Sequence, residues 1–181
     1  MVKCSHFFKP SDIINISCLK QHHLSASVSG LGSKNFSNIL VGIDGSEQSF
    51  KAANYALSLA KSFGAKLTAV TVSYVPASEN LSQSDVLRQS LIEDKSDYTK
   101  DTETWFETLV HDAKASKIQL ETELLNSTRP VDYVILEYAE EKEMDLIVVG
   151  TKGRSGFRKL LLGSVASSIM TYSHCPVLII K

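Results

Sequence analysis

Cysteine is scarce in this chain, three among 181 residues. The number is odd and the spacings are wide, which excludes a disulfide framework and makes a reducing, intracellular setting the default. A cytoplasmic location is therefore expected. Long apolar runs are also missing. None approaches the ~18 residues of a membrane-spanning helix, so no membrane partner is expected. Excess charge of either sign is absent as well, the formal net charge being -1. A general nucleic-acid binder needs a basic surface, so no nucleic-acid partner is expected. At this length one domain buries roughly 70% of its unfolded surface and needs no covalent staples.

What is present is unevenly distributed. Residues 1–37 hold three of the five histidines and two of the three cysteines, are rich in serine and contain no arginine. Their apolar clusters keep no helical or strand period, and they end in a Ser- and Gly-rich stretch. They read as a flexible N-terminal extension outside the fold. A secretory signal would need an apolar stretch of 7–15 residues, and a transit peptide would be Arg-rich; the segment has neither. Cys4, His6, Cys18, His22 and His23 do not follow the usual zinc spacings, so the metal ligands, if any, stay unassigned. Residues 38–181 carry 15 basic and 19 acidic side chains, a balance of -4.

From residue 38 the pattern is regular. Residues 38–44 form a short apolar run of the kind that a buried parallel strand needs. Ser46 is placed to cap the next helix, on which Phe50, Ala53, Leu57, Ala60 and Phe63 recur at helical spacing, and Gly64 suits its end. Residues 67–75 are rich in Val and Thr, as strands are. A polar loop covers 77–84, and one or two polar helices follow over about 85–117, with Trp105, Leu109 and Ala113 as the best apolar stripe. A third strand is expected over 118–125, a helix after Pro130, a fourth strand over 145–150, a short helix over 164–173 and a last strand over 176–181. Strands alternating with helices imply a parallel sheet covered on both faces. The fold class is thus α/β, an open, doubly wound sheet of five parallel strands. Ligands bind such sheets at the carboxyl ends of the strands, where the strand order reverses. The pattern alone leaves 2-1-3-4-5 and 3-2-1-4-5 both open.

Residues 150–181 contain no Asp or Glu but five Lys/Arg, four of them at Lys152, Arg154, Arg158 and Lys159. This stretch begins with Gly150 at a strand end and reaches Gly163-Ser164 at a helix start. Glycine lets backbone N–H groups approach an anion closely, and a helix N-terminus adds unpaired N–H groups and a positive dipole end. The assembly suits a phosphate chain; it equally describes a Gly-rich connector with solvated basic residues. Neither G-x-x-x-x-G-K-[ST] nor G-x-G-x-x-G after the first strand occurs, and there is no G-x-S-x-G elbow.

The spacing that does occur is Gly150-x2-Gly153-x9-Gly163-Ser164. With it, the strand ending Val41-Gly-Ile-Asp44-Gly-Ser46, the strand ending at Gly150 and the closing Cys175-Pro-Val-Leu-Ile-Ile run, residues 38–181 resemble the ATP-binding branch of the universal stress protein family. The resemblance implies the order 3-2-1-4-5 and helices on both faces. It implies a site for ATP, with Mg or Mn. Gly42, Ile43 and Asp44 would line the nucleotide, Asp44 lying near the ribose or a metal. Val72 would offer backbone groups to the adenine, and Val149 and Gly150 would floor the site. Gly153, Gly163, Ser164 and Val165 would hold the phosphates. Val72 and Val149 also read as plain core residues, and Asp44 as a helix cap.

Three functions remain: an ATP-binding regulatory or stress-response module, a slow ATPase or nucleotide hydrolase, and a dimeric interaction protein with a vestigial nucleotide site. Phosphoryl transfer needs a placed metal and a residue that orients the nucleophile, and only Asp44 is an obvious acid near the phosphates. No His lies in 150–164; His174 and Cys175 read as structural. Binding is favoured over turnover. Residues 177–180 would be a flat apolar sheet edge, which invites pairing with another chain, and the family commonly dimerises there. A homodimer through 176–181 is expected.

Overall fold

The computed structural model describes residues 13–17, 36–74, 95–153 and 162–181. The elements are β1 (Ile13–Ser17), β2 (Asn38–Gly42), α1 (Glu47–Phe63), β3 (Lys66–Tyr74), α2 (Lys95–Ser116), β4 (Leu120–Ser127), α3 (Val131–Glu141), β5 (Leu146–Gly150), α4 (Ser164–Tyr172) and β6 (Val177–Ile180). Residues 75–94, which include the expected loop and the start of the expected helical region, lie outside the described residues.

The five strands β2 to β6 pair in parallel in the spatial order β4-β3-β2-β5-β6. Numbered along the chain, this is the order 3-2-1-4-5. Side chains alternate between the two faces of a strand, and that alternation assigns the core. Ile39 and Val41 pack with Ala53, Ala56, Leu57 and Ala60 of α1 and with Leu109 and Ala113 of α2. Leu40, Val70 and Val72 pack with Val134 and Ile135 of α3 and with Ala166 and Ile169 of α4. The central strands are covered on both sides and read as continuous apolar runs. On β4 the burial instead alternates along the strand. The starts of β2 and β5 are pinned together by Asp145, whose Oδ2 accepts the Ser37 and Asn38 N–H groups at 2.8 and 2.9 Å.

The local signals act as the sequence suggests. Ser46 is the N-cap of α1, its side chain accepting the Ser49 N–H, and Gly64 ends that helix in the left-handed region at φ 66°. Phe63 departs from the stripe: it is 40% exposed and stacks edge-on against Phe36. His174 is structural, its Nε2 lying 3.2 Å from the Met144 carbonyl oxygen, and Cys175 is buried.

One element departs from the sequence reading. Residues 1–37 were expected to lie outside the fold, yet Ile13–Ser17 forms β1, a sixth strand antiparallel to β6. The physical reason is that β6 ends the parallel sheet with a row of unpaired N–H and C=O groups, and the Ile-rich stretch of the extension has the β propensity to pair with them. The edge at 176–181, where a second copy was expected, therefore carries a strand of the same chain.

Candidate functional site

The strand order reverses between β2 and β5, which are neighbours although two strand–helix units separate them in sequence. A cleft of about 260 Å³ opens at the carboxyl ends of β2, β3 and β5, where a doubly wound sheet places its ligand. It is lined by Gly42, Ile43 and Asp44, by Val70 and Val72, by Val149 and Gly150, and by Lys152 and Gly153. Ser49 of α1, Val131 and Ile135 of α3, and Val165 and Ala166 of α4 complete it.

The turn after β2 sets one wall. Ile43 continues the ladder, its N–H bonding to the Val70 carbonyl at 2.8 Å. Asp44 then folds over the start of α1: its Oδ1 accepts the Ser46 N–H at 3.0 Å and the Ser46 hydroxyl at 2.6 Å. So Asp44 is not itself the cap of α1. It holds the residue that is, and it keeps its other oxygen, Oδ2, toward Gly153. Gly45 makes the turn possible at φ 80°, and a Cβ there would clash with the Trp105 ring. Trp105 of α2 thus seats against the turn that carries Asp44, with Phe50 edge-on to its ring at 6.4 Å. Gly45→Ala should destabilise the protein by at least ~1–2 kcal/mol, the backbone cost of the left-handed region alone. Because Trp105 is the only tryptophan, urea unfolding followed by its fluorescence reads both the loss of stability and the displacement of the ring.

The loop after β5 forms the opposite wall. Thr151 N–H bonds to the Ile180 carbonyl at 2.8 Å, and the Thr151 carbonyl accepts the Gly163 N–H at 2.7 Å. The two ends of the loop are therefore fastened to each other at the mouth of the cleft. Gly163 is the N-cap of α4, with no side-chain cap bond and no acidic residue in the first turn. The first turn of any α-helix leaves N–H groups without intrahelical partners, and here Val165 and Ala166 of that turn face the cleft. The combination of open N–H groups and a positive dipole end favours an anion.

Glycine sets how closely the two walls approach. A Cβ on Gly153 would lie 2.5 Å from Asp44 Oδ2, and one on Gly150 would lie 2.8 Å from the Gln48 carbonyl carbon and 2.9 Å from its Cβ. A Cβ on Gly42 would meet only Val149 and Ile135 at ordinary contact distances, 3.5 and 3.7 Å. The fold's requirement for glycine is thus strict at 150, where the obstruction includes backbone, weaker at 153, where it is the end of the Asp44 side chain, and loose at 42.

Eight of the residues expected from the sequence line this cleft: Gly42, Ile43, Asp44, Val72, Val149, Gly150, Gly153 and Val165. Gly163 and Ser164 are not among its lining residues; Gly163 anchors the start of α4 to Thr151. Val72 and Val149 are 8% and 5% exposed, so both are core residues that also show an edge to the cleft. Ser49, Val70, Val131, Ile135, Lys152 and Ala166 line it without having been singled out for the site. Lys152 belonged to the basic cluster of the Gly-rich loop, and Val131 and Ile135 to the helix expected after Pro130. Arg154, Arg158 and Lys159 lie outside the described residues, as do Cys4, His6, Cys18, His22 and His23. Among the described residues no cluster of three metal-ligating side chains occurs, and no helix is long and apolar enough to cross a membrane.

Comparison with known proteins adds the following. Residues 35–181 match the family model described as the universal stress protein family. A universal stress protein of Methanocaldococcus jannaschii is 31% identical over 168 residues, 89% of this chain and 91% of its own. Among solved structures, the universal stress protein UspA from Lactobacillus plantarum superposes with a TM-score of 0.66 at 28% identity, covering 82% of this chain and all of that one. A universal stress protein solved in complex with cAMP has a TM-score of 0.60 at 29% identity, covering 82% of this chain and 99% of its own.

Proposed function

The chain belongs to the universal stress protein family, and from that premise we propose that it is an adenine-nucleotide-binding regulatory module, with ATP as its ligand, serving a stress response. The observation that carries the reading is the convergence of Asp44, Gly150, Gly153 and the first turn of α4 on one cleft at the switch point. The related structure that holds cAMP supports it, since cAMP and ATP share the adenosine moiety. The cleft divides as such a ligand requires. Val70, Val72, Val131, Ile135 and Val149 offer an apolar slot for a base. Lys152, the glycines and the α4 N-terminus offer positive charge and N–H groups for phosphates. Asp44, between the two regions, suits a ribose hydroxyl or a divalent cation.

Mg or Mn fits this residue set as a companion of the phosphates. Mg²⁺ commonly keeps several waters and is held by one or two carboxylates together with substrate phosphates, and Asp44 is the carboxylate that the cleft supplies. The metal would neutralise phosphate charge; the chain's own part is to hold that carboxylate in place through Ser46. The described lining presents one acid and one lysine but no second acid–base pair, which suits holding a nucleotide better than rapid turnover. Steady-state phosphate release should accordingly stay below ~1 s⁻¹, the lower end of ordinary enzyme turnover.

Thermal unfolding with and without ATP·Mg tests the reading. A ligand at about 100 times its Kd stabilises the folded state by ~2–3 kcal/mol, and the transition should rise accordingly. An unchanged transition at millimolar ATP would put the interaction protein with a vestigial site ahead.

A further inference from the structure

We propose that β1 is a tethered cap on the outer edge of β6, occupying the backbone groups that a second copy of this chain would pair with, and that it thereby holds the full chain as a monomer. Three observations carry this. First, β6 is wholly apolar, Val177-Leu-Ile-Ile180, with 5% exposure or less at every residue. It ends the parallel sheet, and a flat apolar edge of this kind is a template for another strand. Second, that edge is filled from within. Ile13 pairs with Ile180, Asn15 with Ile179, Ile16 with Leu178 and Ser17 with Val177, with one irregularity between Ile13 and Asn15. A strand has only one row of N–H and C=O groups on its outer side, so β1 and a second β6 exclude each other. Third, the cap lies outside the part matched by the family. The family match begins at residue 35, and the Lactobacillus plantarum protein is covered in full by 82% of this chain.

The geometry permits the tether. Ser17 lies opposite Val177, the first residue of β6, so β1 finishes at the end of the sheet from which the parallel strands start. Asn38, the first residue of β2, lies at that same end. Three strand spacings of ~4.8 Å separate β1 from β2, about 14 Å. The eighteen residues 18–35 could span up to ~60 Å. A covalent link of eighteen residues gives an effective concentration in the millimolar range, roughly a thousandfold above a second copy at micromolar concentration. The cap wins that competition unless it is removed. None of the residues that line the cleft belongs to β1, so its removal leaves the residues of the nucleotide site in place.

Proline supplies the test in the full chain. Along a strand, alternate residues direct their N–H groups to the same side, so one of two adjacent residues must face β6; Asn15→Pro with Ile16→Pro covers both parities and removes the ladder donor. Both positions lie outside residues 35–181, the part matched by the family, and an unchanged far-UV circular dichroism spectrum verifies that the domain is intact. By sedimentation at micromolar concentration, the wild-type chain should run at its single-chain mass of 19.9 kDa and the double variant at about twice that mass. Amide exchange then locates the contact. The outward amides of Val177–Ile180 should be protected in the monomeric wild type and protected again in the variant dimer. A wild-type chain already at twice the mass, a variant that stays at single-chain mass, or a variant dimer whose outward β6 amides exchange freely would each overturn the proposal.

Discussion

Gly153→Val should abolish the stabilisation by ATP, a loss of ~2–3 kcal/mol at a ligand concentration of about 100 Kd, while the unliganded protein stays folded. The new Cβ would lie 2.5 Å from Asp44 Oδ2. That atom is the end of a side chain, so it can turn away. The turn disturbs the bonds by which Asp44 holds Ser46, at an expected cost to the unliganded protein of about 1 kcal/mol, the usual net worth of such bonds. The larger loss concerns the ligand. The valine fills the space between the two walls, denies phosphates the backbone approach that glycine allows and displaces the carboxylate that faces ribose or metal. Differential scanning fluorimetry of wild type and variant, each with and without ATP·Mg, separates the two effects. If the cleft is only a packing defect of the sheet, the variant and the wild type will show the same ATP response.

Gly150→Val acts by a different route and should destabilise the unliganded fold by ~3 kcal/mol or more, at or beyond the upper end of ordinary overpacking. Here the obstruction is backbone: a Cβ at 150 would sit 2.8 Å from the carbonyl carbon of Gln48 and 3.0 Å from its oxygen. Gln48 lies in the first turn of α1, which Ser46 caps and Asp44 fastens. The helix cannot retreat without breaking the cap and pulling its buried alanines off β2 and β5. Gly42→Ala is the matched control, because its Cβ meets only side chains at ordinary distances; it should change stability far less. Urea midpoints at constant m report the difference directly. Together the two substitutions separate a glycine needed for the ligand from one needed for the fold.

The parallel sheet was legible in the sequence because strands covered on both faces must be continuous apolar runs. The runs ending at Gly42, Gly150 and Lys181 have no competing reading. The cap at Ser46 and the stop at Gly64 were legible for the same reason, as each is a local backbone requirement. Strand order was not contained in those patterns, since the periodicity of a strand says nothing about its neighbour; the family resemblance supplied it. β1 escaped because five residues of Ile, Asn and Ser in a Ser-rich segment carry too short a pattern to establish a period. Its partner, moreover, lies 160 residues or more away in β6. In the site, glycine spacing announced Gly150 and Gly153, where close approach leaves a residue-type signature. Val131 and Ile135 left none that pointed to the site, and Lys152 showed only as one of several basic residues in its loop. They reach the cleft through the docking of α3 against β3 and the course of the chain after Gly150, both of which are tertiary facts. The contact of Trp105 with Gly45 is of the same kind: α2 read as a polar helix with one apolar stripe, and nothing local shows that its ring closes over the Asp44 turn.

The central claim is that the cleft between Asp44, Gly153 and α4 holds an adenine nucleotide. Equilibrium dialysis of the purified full chain against labelled ATP in the presence of Mg tests it most directly. Saturable binding that approaches one nucleotide per chain, competed by unlabelled ATP and lost in Gly153→Val, is the predicted result. The absence of saturable binding up to millimolar ATP, or full binding by Gly153→Val, would contradict it.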